Sequence, residues 1–379
     1  MTDKAPLSLM DCFGQVPDPR VMRTQRHELL DLLAIALCAV IGGADHWTEV
    51  VEFGQSRQAW FATFLKLPNG IASHDTFARV FRLLDPQALE SACHQWLAGL
   101  VGRVQGVVAI DGKSVRGARD GKKHPLHIVS AWASEHGMLL GQVRTAEKSN
   151  EITAIPQLLQ LLSLEGCIVT IDAMGCQKAI AKNITSSKAD YVLSLKSNHR
   201  HLSFSVQKWF EKGLAEGFGR QRCSHHLQPM QRGHGRLEQR EHWVTTVPQH
   251  LKRATAAWDG LQTLAMVRRQ RQIDGETSTE DSYYISSLPL DAGAQVIAHA
   301  VRRHWAVENE LHWSLDVGFR EDACRVRKDN APANLACLRR MALTQLKQET
   351  SKKLGIQGKR RRAGWDTAYL QMVLGGSWV

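Results

Sequence analysis

VVAIDGKSVRGA (107–118) and CIVTIDAMGCQ (167–177) each carry an apolar run into an aspartate. Asp111 follows Val107, Val108, Ala109 and Ile110. Asp172 follows Ile168, Val169, Thr170 and Ile171. A carboxylate at the end of a buried strand is costly to desolvate, so it needs a partner or a task. Two of them suggest a metal-binding pair. The alternative is two strands that end in turns, since Asp111-Gly112 is a good turn former.

Working outward, strands are expected at 107–111, 126–134 and 138–146, with His136-Gly137 turning the second into the third. A helix is expected at 151–164, then the strand that ends at Asp172, a helix near 177–187 and a strand at 190–196. The order βββαβαβ is α/β and predicts a ribonuclease H-like mixed sheet, three antiparallel strands followed by parallel ones through helical crossovers. In that topology the first and fourth strands are neighbours, which brings Asp111 and Asp172 side by side.

Residues 1–104 read as an N-terminal helical domain. HELLDLLAIALCAVIGG (27–43) is one buried helix closed by a glycine pair, and 46–65 gives one or two more. Ser73 caps a helix to about 85, with Phe77, Val80, Phe81 and Leu84 as its apolar stripe. Pro86 starts another helix to about Val101. Arg79 and Arg82 oppose the stripe, either facing DNA or as a solvated face. The first part of the core spans 105–197, and 198–290 reads as a β-rich insertion with strands at 233–247, 263–273 and 282–290. The core resumes over 291–345, with a long helix from near Ala292 through Phe319 and another around 334–347. The stretch 346–379 reads as a basic tail, with seven basic residues and one acidic between 347 and 362.

Composition narrows the partners. The 379 residues carry a net charge of +11, which favours a polyanion, nucleic acid being the usual one. The eight cysteines form no C-x-x-C pair, and most sit in apolar runs such as those of Cys38, Cys167 and Cys337. That argues against a zinc knuckle or disulfide scaffold and fits a reducing cytoplasm. The start lacks the apolar core of a signal peptide, and Leu29–Gly43 is short for a membrane span and contains Asp31.

HWAVENELHW (304–313) holds two Trp, two His and two Glu. On an α-helix, His304, Glu308 and His312 at i, i+4 and i+8 share a face. Three readings are open: an ordinary amphipathic helix, a helix-borne zinc site on those three residues, or Glu308 as a third carboxylate beside Asp111 and Asp172. In the last reading hard oxygen ligands suit Mg²⁺. Two ions about 4 Å apart serve an in-line phosphoryl displacement. Lys113, Arg116, Lys196, Arg302, Arg303, Arg325 and Arg327 are then candidates for the DNA backbone, and Trp305 and Trp313 for stacking on an unpaired base. Glu310 lies roughly 200° from Glu308 around an α-helix and cannot face the same ions.

AIDGKSVRGA, TIDAMGCQ, SYYISSL and the run HWAVENELHWSLDVGFREDACRVRKDNAPANLACLRR, with PDPR (17–20) and SHDTFARVF (73–81), resemble the ISAs-type insertion-sequence transposases. These include the H-repeat-associated proteins and belong to the DDE transposases. The resemblance covers about residues 10–345 and places the family's catalytic, metal-holding Asp, Asp and Glu on Asp111, Asp172 and Glu308. It implies Mg²⁺-dependent cleavage and strand transfer, with Mn²⁺ as a substitute and two ions. It implies double-stranded DNA as partner, at terminal inverted repeats and target, and a homodimer or higher complex. No organic cofactor and no membrane are expected. Related transposases often show a Tyr and an Arg before the Glu and a Lys after it. Here Val301, His304 and Leu315 stand at those places, with His304, Arg303 and Arg320 as substitutes. In the insertion, GHGRLEQR (233–240), with Arg236, is the best DNA contact. The alternatives are a nuclease of this fold without strand transfer and a transposase-derived DNA-binding protein.

Overall fold

The computed structural model describes residues 8–101, 104–119, 125–145, 151–219, 221–233 and 235–375. Six helices lead: α1 (Leu9–Gly14), α2 (Leu29–Ile41), α3 (Trp47–Ser56), α4 (Gln58–Phe61), α5 (His74–Leu83) and α6 (Pro86–Val101). The α/β core follows as β1 (Gly106–Val115), β2 (Leu126–Ala133), β3 (Met138–Thr145), α7 (Glu151–Gln160), β4 (Cys167–Ile171), α8 (Lys178–Ser186) and β5 (Asp190–Leu195). These strands stand in the order β3-β2-β1-β4-β5, so the first and fourth are neighbours as expected. β1 pairs antiparallel with β2 and parallel with β4. Lying at the centre of this group explains why Val107 through Ile110 are buried.

The parallel ladder ends at Ile110↔Ile171, one residue before each aspartate. β1 nevertheless continues to Val115, paired with β2 through Val115↔Leu126. Asp111 is therefore a mid-strand residue where the neighbouring strand has ended, not a turn residue. Gly112 stays extended and serves another purpose. A Cβ there would lie 2.4 Å from both Glu151 Oε1 and His127 Nε2. Those two side chains are hydrogen-bonded at 2.6 Å and buried, and His127 Nδ1 also bonds Ser114 Oγ at 3.0 Å. Gly112→Ala is expected to cost about 1–3 kcal/mol by overpacking, read as a lower urea midpoint.

The segment after β5 holds α9 (Arg200–Glu216), β6 (Cys223–Leu227), β7 (Gln231–Gly233), β8 (Arg236–Thr246), α10 (Lys252–Thr255), β9 (Thr263–Ile273) and β10 (Glu276–Ser286). It is β-rich, and its strands extend the core sheet. The order runs on as β5-β10-β9-β8-β6, with β7 off β8, to make one ten-stranded mixed sheet. β10 starts earlier than the expected 282 because Asp274 and Gly275, at φ 48° and 87°, close a two-residue hairpin onto β9. His234, within the expected contact stretch, lies outside the described residues.

The long helix near Glu308 is not uniform. α11 (Ala294–His304) is α-helical, but Val307–His312 and Ser314–Gly318 are wound as π-helix. The Trp313 N–H donates to the Glu308 carbonyl, five residues back. Next come α12 (Ala331–Gln348), α13 (Ile356–Trp365) and α14 (Thr367–Leu374).

α2 is buried along nearly its whole length, as an all-apolar helix must be, and packs against α12. Its Asp31 carboxylate accepts the Leu67 N–H at 2.9 Å. One apolar core runs from these helices into the sheet. The basic stretch at the end is folded and not a free tail. Arg360 is buried and donates to Val40 O at 3.1 Å, Ala44 O at 3.2 Å and Asp45 at 3.1 Å; Lys359 donates to Leu346 O at 2.8 Å. Carbonyl acceptors and a carboxylate satisfy charges that a solvated arm would give to water. Among the described residues no helix is long and apolar enough to cross a membrane.

Candidate active site

Asp111, Asp172 and Glu308 line one cleft of about 290 Å³. Each reaches it by a different route. Asp111 projects from β1 just beyond its last pair with β4. Asp172 follows β4 and is held by a local turn, its Oδ1 accepting the N–H of Met174 at 3.0 Å and of Gly175 at 3.3 Å. Glu308 comes from the first π-helical stretch. Glu310 goes elsewhere, pairing with Arg303 at 3.5 Å and Lys347 at 3.6 Å. Glu308 therefore lines the cleft and Glu310 does not, although the α-helical angle used to separate them does not apply to a π-helix.

The carboxylates feel burial and one another's charge. Burial pushes Asp111 up to about 7; the Gly112 N–H opposes this, while Asp172, Glu308 and Glu151 add to it. Glu308 is also raised, by burial and then by Asp172, with Lys196 opposing. Two histidines stand by the carboxylates without adding charge, His304 in the cleft wall and His312 beside Asp111. His304 Nδ1 bonds Thr170 Oγ1 at 3.0 Å, and burial pulls this imidazole down to about 4. His312 Nδ1 lies 3.6 Å from Asp111, and burial pulls it down to about 3. Both are neutral at pH 7.

The cleft gathers Asp111, Asp172, Glu308, Lys196, His304 and Trp305 from the residues expected in the site. Others stand outside it. Lys113 is buried among Asp316 at 2.8 Å, Asp322 at 3.1 Å and Glu321 at 3.8 Å, so it pins β1 to the segment after Glu308 instead of reaching outward. Arg116 lies at the surface, 3.6 Å from Asp322. Arg303 sits between Glu135 at 3.7 Å and Glu310 at 3.5 Å, and Arg236 lies 3.4 Å from Glu238. Arg327 donates to Gly117 O at 3.0 Å, and Arg325 is exposed. Trp313 is 60% exposed away from the cleft, whereas Trp305, 41% exposed, lies at its rim.

Sequence reasoning missed Arg269 and Tyr284, which line the cleft from β9 and β10, whereas Arg240, which lines it from β8, ends the expected contact stretch 233–240 without having been singled out there. The arginines are visible in TLAMVRRQRQI and GRLEQR. The register that turns particular ones into the cleft depends on sheet pairing and is absent from either stretch alone.

His304, Glu308 and His312 are not drawn together as a zinc set: His304 Nδ1 is engaged with Thr170, while His312 Nε2 is buried with no hydrogen-bond partner among the described residues. Among the described residues no group of three or more His, Cys, Asp or Glu side chains is drawn together as it stands into a set that could hold an ion. The donor chemistry of the cleft still suits a divalent cation. Its three carboxylates are hard oxygen donors, and Asp111 is raised by burial first and by the neighbouring carboxylates as well.

A mixed sheet that presents two strand-borne aspartates and a helical glutamate to one cleft defines the DDE class. The chain belongs to the DDE transposase family, with the H repeat-associated members among its relatives: the transposase DDE domain matches residues 102–345 and the DDE_Tnp_1-associated family residues 10–97. It is 40% identical to "Putative transposase YncI" of Escherichia coli O157:H7, over 97% of this chain and 94% of that one. It is 37% identical to "H repeat-associated putative transposase YhhI" of Escherichia coli K12, over 97% and 98%. Among solved structures it matches a piggyBac transposase synaptic complex with hairpin DNA, at 12% identity and TM-score 0.48, over 97% of this chain and 80% of that one. DDE transposases generally use divalent metal ions.

Proposed function

We propose that this chain is a Mg²⁺-dependent DNA transposase that cuts DNA at the terminal inverted repeats of an insertion sequence and joins the freed end to target DNA. The observation that carries the reading is the convergence of Asp111, Asp172 and Glu308 on one cleft. Family membership and the ribonuclease H-like order β3-β2-β1-β4-β5 support it. Divalent ions bound there, Mg²⁺ or Mn²⁺ in its place, would activate the attacking oxygen and stabilise the leaving one.

The protein's own part is positioning. Asp111 and Asp172 hold ions from the rigid sheet, Asp172 oriented by its two backbone N–H donors. Glu308 completes the set from the π-helical stretch. Neutral His304 in the wall and neutral His312 beside Asp111 leave the carboxylates' charge for the metal. At the rim Lys196 meets phosphate and Trp305 offers a stacking face for an unpaired base. In this reading 105–197 and 291–345 form the catalytic core, 1–104 and the 198–290 segment meet the transposon end, and two or more copies assemble on DNA in the bacterial cytoplasm.

The test is incubation of the purified chain with its element's ends and a target plasmid in Mg²⁺. Cleaved and joined products are expected, with none in EDTA. Cleavage without joining favours a nuclease. End binding with no cleavage under Mg²⁺ or Mn²⁺ favours a DNA-binding relic and overturns the enzymatic reading.

A further inference from the structure

Arg240 and Arg269 stand directly opposite each other across β8 and β9. Like charges facing across a strand pair are destabilising, and both side chains are mostly covered, at 12% and 18% exposed. Both line the carboxylate cleft. Counter-charge is present but shared. Glu238 pairs with Arg240, with Arg271 at 3.1 Å and with Arg236 at 3.4 Å. Arg269 pairs with Glu280, whose carboxylate is 63% exposed and weakened by water. Burial pulls the Arg240 guanidinium below its ordinary value; Glu238 opposes this, and Arg302 and Arg269 add to it. A facing pair of partly buried, incompletely neutralised guanidiniums beside metal-type carboxylates is complementary to an anion that bridges them. Each planar fork offers donors in the geometry that phosphate oxygens accept.

We propose that Arg240 and Arg269 form a phosphodiester-binding wall, holding the backbone of the DNA strand next to the phosphate that faces Asp111, Asp172 and Glu308. This rests on the transposase reading above. It makes the sheet extension part of the substrate cleft, and Tyr284, on the same wall, completes its floor.

The experiment measures binding of a fluorescent DNA duplex by anisotropy across a salt series, without metal. Wild type, Arg240→Gln, Arg269→Gln, the double variant, Arg271→Gln and Asp172→Asn are compared. Backbone contacts appear as the slope of log affinity against log salt. Each cleft arginine removed is expected to lower that slope by about 0.9. Arg271→Gln, which also loses a Glu238 partner but does not line the cleft, is expected to lower it by less than either cleft arginine. Lysine at 240 and 269 retains most of the slope, which separates lost charge from lost folding.

A double variant with the wild-type slope overturns the wall, and the transposase reading survives if Asp172→Asn alone abolishes cleavage. A wild type without salt-dependent DNA binding overturns both. An equal loss in Arg271→Gln assigns the effect to the strand pairing and overturns the wall.

Discussion

Asp111→Asn and Asp172→Asn are each expected to lower DNA cleavage by roughly a thousandfold or more, the equivalent of about 4 kcal/mol of transition-state stabilisation. The physical reason is charge. Asp111 already sits where burial and neighbouring carboxylates resist its ionisation, a balance that the proposed cation would relieve. An asparagine at 111 or 172 keeps the shape and removes one of the charges that recruit the ion. At 172 the amide oxygen can still accept the Met174 and Gly175 N–H bonds, so the local turn survives. DNA binding is expected to persist, since a negative charge has been taken from the cleft proposed to meet phosphate. Cleavage rates on labelled ends, with Mn²⁺ titrated by calorimetry, read both effects. Wild-type cutting by either variant would remove that aspartate from the site.

Arg340→Met is expected to be the most destabilising of these substitutions, at about 3–5 kcal/mol. Arg340 on α12 and Glu321 are fully buried, and Nη1 donates to Glu321 Oε1 at 2.8 Å. Removing the guanidinium strands a buried carboxylate whose other nearby cation is Lys113, 3.8 Å away. Replacing Glu321 as well, as Arg340→Met/Glu321→Leu, is expected to recover a large part of the loss, because no unpaired charge is then left. Denaturant midpoints for the single variants and the double variant measure this. A single variant as stable as wild type would show that the pair contributes no net stability. The same cluster holds Lys113 and Asp316, so cleavage is expected to fall along with stability: the pinned segment follows Glu308 directly.

The central strand and the two aspartates were legible because they are local facts. An uninterrupted apolar run followed by a carboxylate reads the same in isolation and in a sheet, and the order of strands and helices limits the topologies that can bury it. Ser73 capping α5 and the buried character of α2 are likewise local, and both are present. The π-winding around Glu308 was not legible, since α- and π-turns share the same apolar spacing at low resolution and differ by one residue in hydrogen-bond reach. The basic residues were the least legible. Lys113, Arg360 and Lys359 look like surface charges in sequence, yet tertiary contacts with distant carboxylates and carbonyls bury them.

By itself, then, the sequence determined the α/β strand order, the adjacency of Asp111 and Asp172, and the family to which their motifs belong. Only the tertiary structure decided which cations face the cleft. A lysine two residues after Asp111 is drawn inward by Asp316, while arginines from β8 and β9 are brought to the wall of the carboxylate cleft by strand register. Hydrophobic patterning is written residue by residue along the chain. The pairing of charges depends on three-dimensional proximity between segments far apart in it.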